Sequence, residues 1–226
     1  MHENIIELKN VSKKYGDNNV LSGLNLCITK NSVTALIGPN GCGKTTLFKV
    51  ILGITDHQSG EVEKISNDKI GFLIDECRPY DRLSLYRNMR AVSLMSGVIA
   101  SKKMIDDIIA STFCTSIKNK TLRSLSSGQQ KKALFALSLI SNPSILILDE
   151  PLNSLDLKER IDIISALKYL NLSKGKTILV SSHDLDSLYE LCDHFCFIKY
   201  GRILMTKEKN ELSSDELSRL FLETYK

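Results

Sequence analysis

Apolar positions along this chain follow two rhythms, and the places where one gives way to the other divide it into parts. Up to about residue 76 they sit in short runs, Ile5 to Val11, Leu24 to Ile28, Val33 to Ile37 and Ile70 to Ile74, which predict strands. One helix is predicted among them, over Thr46 to Leu52. From 77 to 127 the spacing lengthens to that of a helix, with Leu85, Met89, Val92 and Met95 on one face and Met104, Ile105, Ile108 and Ile109 on another. From 128 to about 206 strand and helix alternate again. A basic then apolar helix is predicted from Gln130 to about Ile140, a buried strand over Ser144 to Leu148, and a strand over Thr177 to Ser181. A closing helix spans Leu212 to Tyr225, with Ser213 or Ser214 as its cap. This alternation implies parallel β-α-β units. The expected fold is therefore α/β, a single domain over 1–226 whose core comprises 1–76 and 128–226, with a helical lobe, 77–127, inserted.

Between the strand ending at Ile37 and the helix starting near Thr46 lies Gly38-Pro39-Asn40-Gly41-Cys42-Gly43-Lys44-Thr45, which fits the phosphate-binding pattern G-x-x-x-x-G-K-[ST]. Its glycines let consecutive N–H groups turn inward, and the following helix, with Thr46 in its first turn, adds the positive end of its dipole. Lys44 can reach the β and γ phosphates as a point charge, and the Thr45 hydroxyl is placed to ligate Mg²⁺. A glycine-rich turn that merely contains a lysine is a poor alternative once strand and helix flank it. The core thus reads as a P-loop nucleoside triphosphatase. The apolar run Ser144 to Leu148 ends in Asp149 and Glu150, as a strand buried on both faces would where its carboxyl end meets a ligand. Asp149 can fix the metal that Thr45 ligates, and Glu150 can polarise a water for attack on the γ phosphate.

Composition adds little and excludes some classes. The 42% hydrophobic and 25% charged content of these 226 residues is that of an ordered globular protein. The net charge of +4 is spread along the chain without a basic block longer than pairs, so no nucleic-acid partner is expected. Six cysteines without a C-x-x-C pair suit reduced thiols in a cytosol. Cys42, near a helix N-terminus, is expected to have a lowered pKa. The start of the chain has no signal pattern, and the longest uncharged run, Ala133 to Leu148, is 16 residues, too short to cross a bilayer.

Leu125-Ser126-Ser127-Gly128-Gln129 lies between the two nucleotide motifs, and Pro151-Leu152-Asn153-Ser154-Leu155-Asp156 and Ser182-His183 follow them. In this order the set resembles the ATP-binding cassette ATPases that drive ABC transporters, and the resemblance covers nearly the whole chain. It implies a small antiparallel β lobe beside the core, here trimmed, because only nine residues separate Gly60 from Ile70. It implies that Tyr15 stacks on adenine and that His183 contacts the γ phosphate. Ser126 and Gly128 would touch the γ phosphate held by a second subunit, and Asp156 would lie where the two subunits cross. The implied assembly is a head-to-tail homodimer, or a heterodimer with a second ATPase, powering a separate membrane permease from the cytoplasmic face. ATP and Mg²⁺ are the implied ligands. A soluble regulatory ATPase acting on ribosomes or DNA is the alternative.

Two positions depart from the family pattern. The signature usually reads L-S-G-G-Q, and Ser127 stands at its third position. Where the family places a metal-sensing glutamine, after Ile70 to Ile74, this chain has Asp75, an acidic residue similar to the glutamate of bacitracin and lantibiotic exporters. Asp75 is accordingly a candidate metal contact, and export is the expected direction. The segment near Arg78 to Leu85 is the candidate dock for the permease.

Overall fold

The structure, a computed structural model, describes residues 3–64, 69–74, 76 and 79–225. The chain runs β1 (Asn4–Tyr15), β2 (Asn18–Thr29), β3 (Val33–Ile37), α1 (Lys44–Leu52), β4 (Ser59–Lys64), β5 (Ile70–Leu73), α2 (Leu85–Met95) and α3 (Lys102–Ser111). After two short 3₁₀ turns come α4 (Ser127–Ser138), β6 (Ile145–Leu148), α5 (Leu157–Leu172), β7 (Thr177–Ser181), α6 (Leu185–Leu191), β8 (His194–Lys199), β9 (Arg202–Glu208) and α7 (Ser214–Tyr225).

Every residue of β3, β6 and β7 is buried, as expected of strands covered on both faces. They lie inside a six-stranded sheet of order β5-β6-β7-β3-β8-β9, parallel except for β9. Leu148 pairs with Val180, and Leu36 pairs with Ser181. The carboxyl ends of β6, β7 and β3 therefore finish side by side, about 4.8 Å apart from strand to strand. A second sheet, antiparallel with order β2-β1-β4, stands beside the first.

Three apolar clusters hold these layers. On one face of the large sheet α5, α6 and α7 pack through Ile163, Leu167, Leu188 and Leu217. On the other, α1 buries Leu47, Phe48 and Ile51 between the sheet and the apolar side of β1 and β2. The third cluster joins Leu85 and Met89 of α2 to Ile105 and Ile109 of α3 and to Ala133, Ala136 and Ile140 on and just beyond α4.

Several elements differ from the sequence expectation. β1 and β2 reach past the predicted runs to a two-residue turn, with Lys14 paired to Asn19 and Tyr15 to Asn18. The outer halves of these strands mix exposed Lys14, Tyr15, Asn18 and Asn19 with buried Lys13 and Leu21, so they show no unbroken apolar run. Helix α4 begins at Ser127 rather than Gln130, because Ser126 Oγ accepts the Gln129 N–H (3.2 Å) and Gln129 Oε1 accepts the Ser126 N–H (3.4 Å). This reciprocal capping box starts the helix inside the polar signature. Met95, expected on the same face of α2 as Leu85 and Met89, is 75% exposed where those two are buried, since α2 ends there. Of the two candidate caps for α7, Ser213 is the one that serves: its Oγ accepts the Glu216 N–H, and Glu216 Oε2 accepts the Ser213 N–H.

Helix α7 is anchored at its far end. The Tyr225 hydroxyl donates to the carbonyl of Ile37 (2.7 Å) and lies 3.1 Å from that of Ile198. Its ring stacks on Phe197, and Lys199 Nζ donates to the Thr224 carbonyl (2.7 Å). Burial pushes the phenol pKa above its ordinary value, so the group remains a donor. Tyr225→Phe is expected to lower the unfolding free energy by about 1 kcal/mol. Urea denaturation followed by circular dichroism measures this, and a midpoint equal to the wild type would show that the hydroxyl adds nothing.

Candidate active site

The loop after β3 wraps a cavity of about 170 Å³ lined by Asn40, Gly41, Gly43, Lys44, Thr45, Thr46, Val20, Asp149 and Glu150. Gly43 caps α1 with φ 109°, a conformation closed to other residues, and a Cβ there would lie 2.9 Å from the Val20 carbonyl oxygen. The buried Lys44 ammonium bends back over its own loop and donates to the carbonyls of Gly38 (2.7 Å) and Pro39 (3.2 Å). Thus the loop from Gly38 to Thr46 encloses one cation, with free amides at the start of α1.

Across the cavity the acids of β6 meet this loop. Asp149 Oδ2 accepts from Thr45 Oγ1 (2.5 Å), and its Oδ1 accepts from Ser181 Oγ (2.6 Å). Ser181 Oγ also accepts the Glu150 N–H (2.9 Å), fixing a residue whose φ is 47°. A non-glycine residue in this left-handed region costs stability and persists only where its surroundings hold it. Glu150 is turned by this backbone so that Oε1 lies 3.6 Å from Lys44 Nζ and Oε2 lies 3.2 Å from His183 Nδ1. Oε1 is buried and accepts no hydrogen bond. The imidazole itself is 65% exposed, on the loop after β7.

Thr45 Oγ1 and Asp149 Oδ2 form a pair of hard oxygen donors beside a phosphate-sized cavity. That donor set fits Mg²⁺, which takes one or two protein oxygens and completes its shell with phosphate and water. Among the described residues no group of three or more His, Cys, Asp or Glu is placed to enclose a metal. Asp75 lies outside the described residues, as does Arg78.

Other predicted residues are not brought to this cavity. Tyr15, at the end of β1, is 48% exposed, with the Lys13 ammonium 4.9 Å from its ring centre. Ser126 and Gly128 belong to the start of α4, and neither lines the cavity. Gly128 lies against the carboxylate end of Glu159. Glu159 accepts the Asp156 N–H (3.3 Å) while Asp156 caps α5 (2.7 Å), so the signature loop adjoins the turn at Asp156. Sequence reasoning missed Ser181, which joins Asp149 to Glu150. Its only signal was a small polar residue at the carboxyl end of a strand, two positions before His183.

The Cys42 expectation is overturned. The thiol is buried, and burial raises its pKa more than the nearby Lys44 lowers it. A raised pKa means less thiolate at neutral pH. Iodoacetamide is therefore expected to modify Cys42 more slowly than a free cysteine at pH 7, speeding up only as the pH passes the ordinary thiol range. Peptide mapping by mass spectrometry reads the rate, and rapid labelling at neutral pH would contradict the burial argument.

Comparison with known proteins identifies relatives of this arrangement. Residues 21–153 match the family described as ABC transporter. The chain is 37% identical to the lantibiotic transport ATP-binding protein SrtF of Streptococcus pyogenes, covering 96% of both chains. It is 31% identical to the Nod factor export ATP-binding protein I of Cupriavidus metallidurans, over 98% of this chain and 77% of that one. A spermidine/putrescine import ATP-binding protein of Clostridium novyi is 33% identical over 90% of this chain and 62% of its own. Among solved structures, the dimeric bacterial ABC transporter cassette MJ0796 superposes with a TM-score of 0.82 at 26% identity, covering 90% of this chain and 98% of that one.

Proposed function

This chain belongs to the ABC transporter family and is an ATP-binding, ATP-hydrolysing subunit, and from that premise we propose how its residues hydrolyse MgATP and which partners complete it. The loop amides from Gly38 to Thr46, with Lys44, hold the β and γ phosphates. Thr45 and Asp149 would hold Mg²⁺, which when bound neutralises charge on the transferring phosphoryl group. Ser181 keeps Asp149 turned toward Thr45 and fixes the backbone of Glu150. Glu150 accepts a proton from the attacking water through Oε1, while His183 holds Oε2. The carrying observation is the split in that carboxylate: one oxygen is tied to the histidine, and the other is buried near Lys44 with no donor of its own.

The fate of Ser126 and Gly128, both outside the cavity lining, supports completion by a second subunit. In that arrangement the capped start of α4 turns its free N–H groups to the partner's γ phosphate, and Asp156 sits at the crossing. Tyr15 remains exposed for stacking on the adenine of its own site.

No helix among the described residues is long and apolar enough to cross a membrane. As the ATPase of a transporter, this subunit would act with a separate membrane permease, at the inner face of the membrane. An apolar groove of about 510 Å³ between the edge strand β5 and the inserted helices, lined by Phe72, Tyr80, Val92, Met95 and Ile140, is suited to a permease helix. Export is favoured by the Nod factor export relative and by the acidic residue at 75.

Glu150→Gln is expected to bind ATP and dimerise while phosphate release falls by about a hundredfold or more. Turnover near the wild-type rate would place the base elsewhere. For Asp75, a metal contact predicts that Asp75→Ala slows turnover more than Asp75→Gln, and wild-type rates in both would remove the residue from the site.

A further inference from the structure

The inserted helices carry a face that the nucleotide cavity does not use and that meets the apolar groove only at Met95. Between Asp81 and Asp106 the sequence holds five cations, Arg82, Arg87, Arg90, Lys102 and Lys103, and no carboxylate. All five are exposed, and among the described residues none is within ion-pair reach of an acid. Asp106 is engaged by Lys118 (2.6 Å), which leaves Asp107, further along α3, as the nearest exposed acid on that helix.

The cations are not scattered around the helix. Arg87, Arg90 and Leu94 recur at helical spacing on the side of α2 opposite its buried Leu85, Met89 and Ser93. The chain then turns through Gly97 and Ile99, and α3 opens at Lys102. Cations thus stand before and after an apolar tip in which Leu94 is 65%, Met95 75% and Ile99 90% exposed. A single exposed apolar side chain is ordinary, but three within six residues, framed by unpaired cations, mark a contact surface. Met95 also lines the groove described above, so the two surfaces are continuous.

We propose that this tip and its cations form a contact for an anionic lipid headgroup layer, seating the inserted helices on the membrane surface beside the permease. Only the orientation toward the membrane rests on the transporter reading. A layer of anionic headgroups answers both halves of the surface at once. The guanidinium and ammonium groups meet phosphates at headgroup level, while Leu94, Met95 and Ile99 enter the boundary with the acyl chains. An acidic peptide would match the cations and leave the tip in water.

The test is co-sedimentation of the whole chain with mixed phosphatidylglycerol–phosphatidylcholine vesicles and with pure phosphatidylcholine vesicles, at low and high salt. The wild type is expected to bind the anionic vesicles alone and to release them at high salt. At about fivefold in partitioning per surface cation, Arg87→Gln with Arg90→Gln should weaken binding about thirtyfold. Ile99→Ser, which keeps every charge, should weaken it about tenfold. ATP binding should be unchanged in both variants, which checks that they fold. Equal binding to neutral vesicles, no binding to anionic ones, or variants that bind like the wild type would each overturn the proposal. So would capture of polyuridylate without vesicle binding. None of these results bears on Glu150→Gln, so failure here and failure of the hydrolytic reading are separable.

Discussion

The site depends on one constraint, the parallel register of β6, β7 and β3. Because Leu148 lies against Val180 and Leu36 against Ser181, three strands end on one line. Asp149 follows the last residue of β6, Ser181 closes β7, and the phosphate loop opens directly after Ile37, the last residue of β3. A slip of one residue in any of these strands would exchange its two faces and carry the acid or the serine away from the cavity. The register that pairs these apolar strands is therefore also what aligns the polar site.

Ser181 turns that alignment into chemistry. A single hydroxyl donates to Asp149 and accepts from the backbone of Glu150, so the orientation of the metal-side acid and the conformation of the water-side acid are set together. The left-handed backbone at Glu150 is held by that bond. Lys44 and His183 then treat the two oxygens of Glu150 differently, one facing a cation and the other a ring nitrogen.

How far this could be read in advance follows from what a linear pattern records. Strands buried on both faces, such as Val33 to Ile37, announce themselves by composition. The phosphate loop does so by glycines at fixed spacing, and Asp149 and Glu150 by closing an apolar run. The outer halves of β1 and β2 did not, because Lys14, Tyr15, Asn18 and Asn19 are exposed there and the buried Leu21 does not extend into an apolar run. The start of α4 was hidden because its capping box lies within a motif read for chemistry rather than for helix initiation. Ser181 was invisible because its role arises only when β7 is placed next to β6, a neighbour 32 residues earlier in the pairing of Thr177 with Ile145 and adjacent only in space. Cys42 was misjudged because proximity to a helix start suggests a stabilised thiolate, while the packing that removes water decides the outcome.

The anchor at Tyr225 has a consequence in time. Its hydroxyl supports the carbonyl that immediately precedes the phosphate loop, and the two residues are 188 positions apart. At about 5–20 residues per second of synthesis, the loop emerges on the order of ten seconds or more before its brace exists. Over that interval the nascent chain has the residues of the loop without the support behind it. The brace behind the phosphate loop is complete only once α7 has docked.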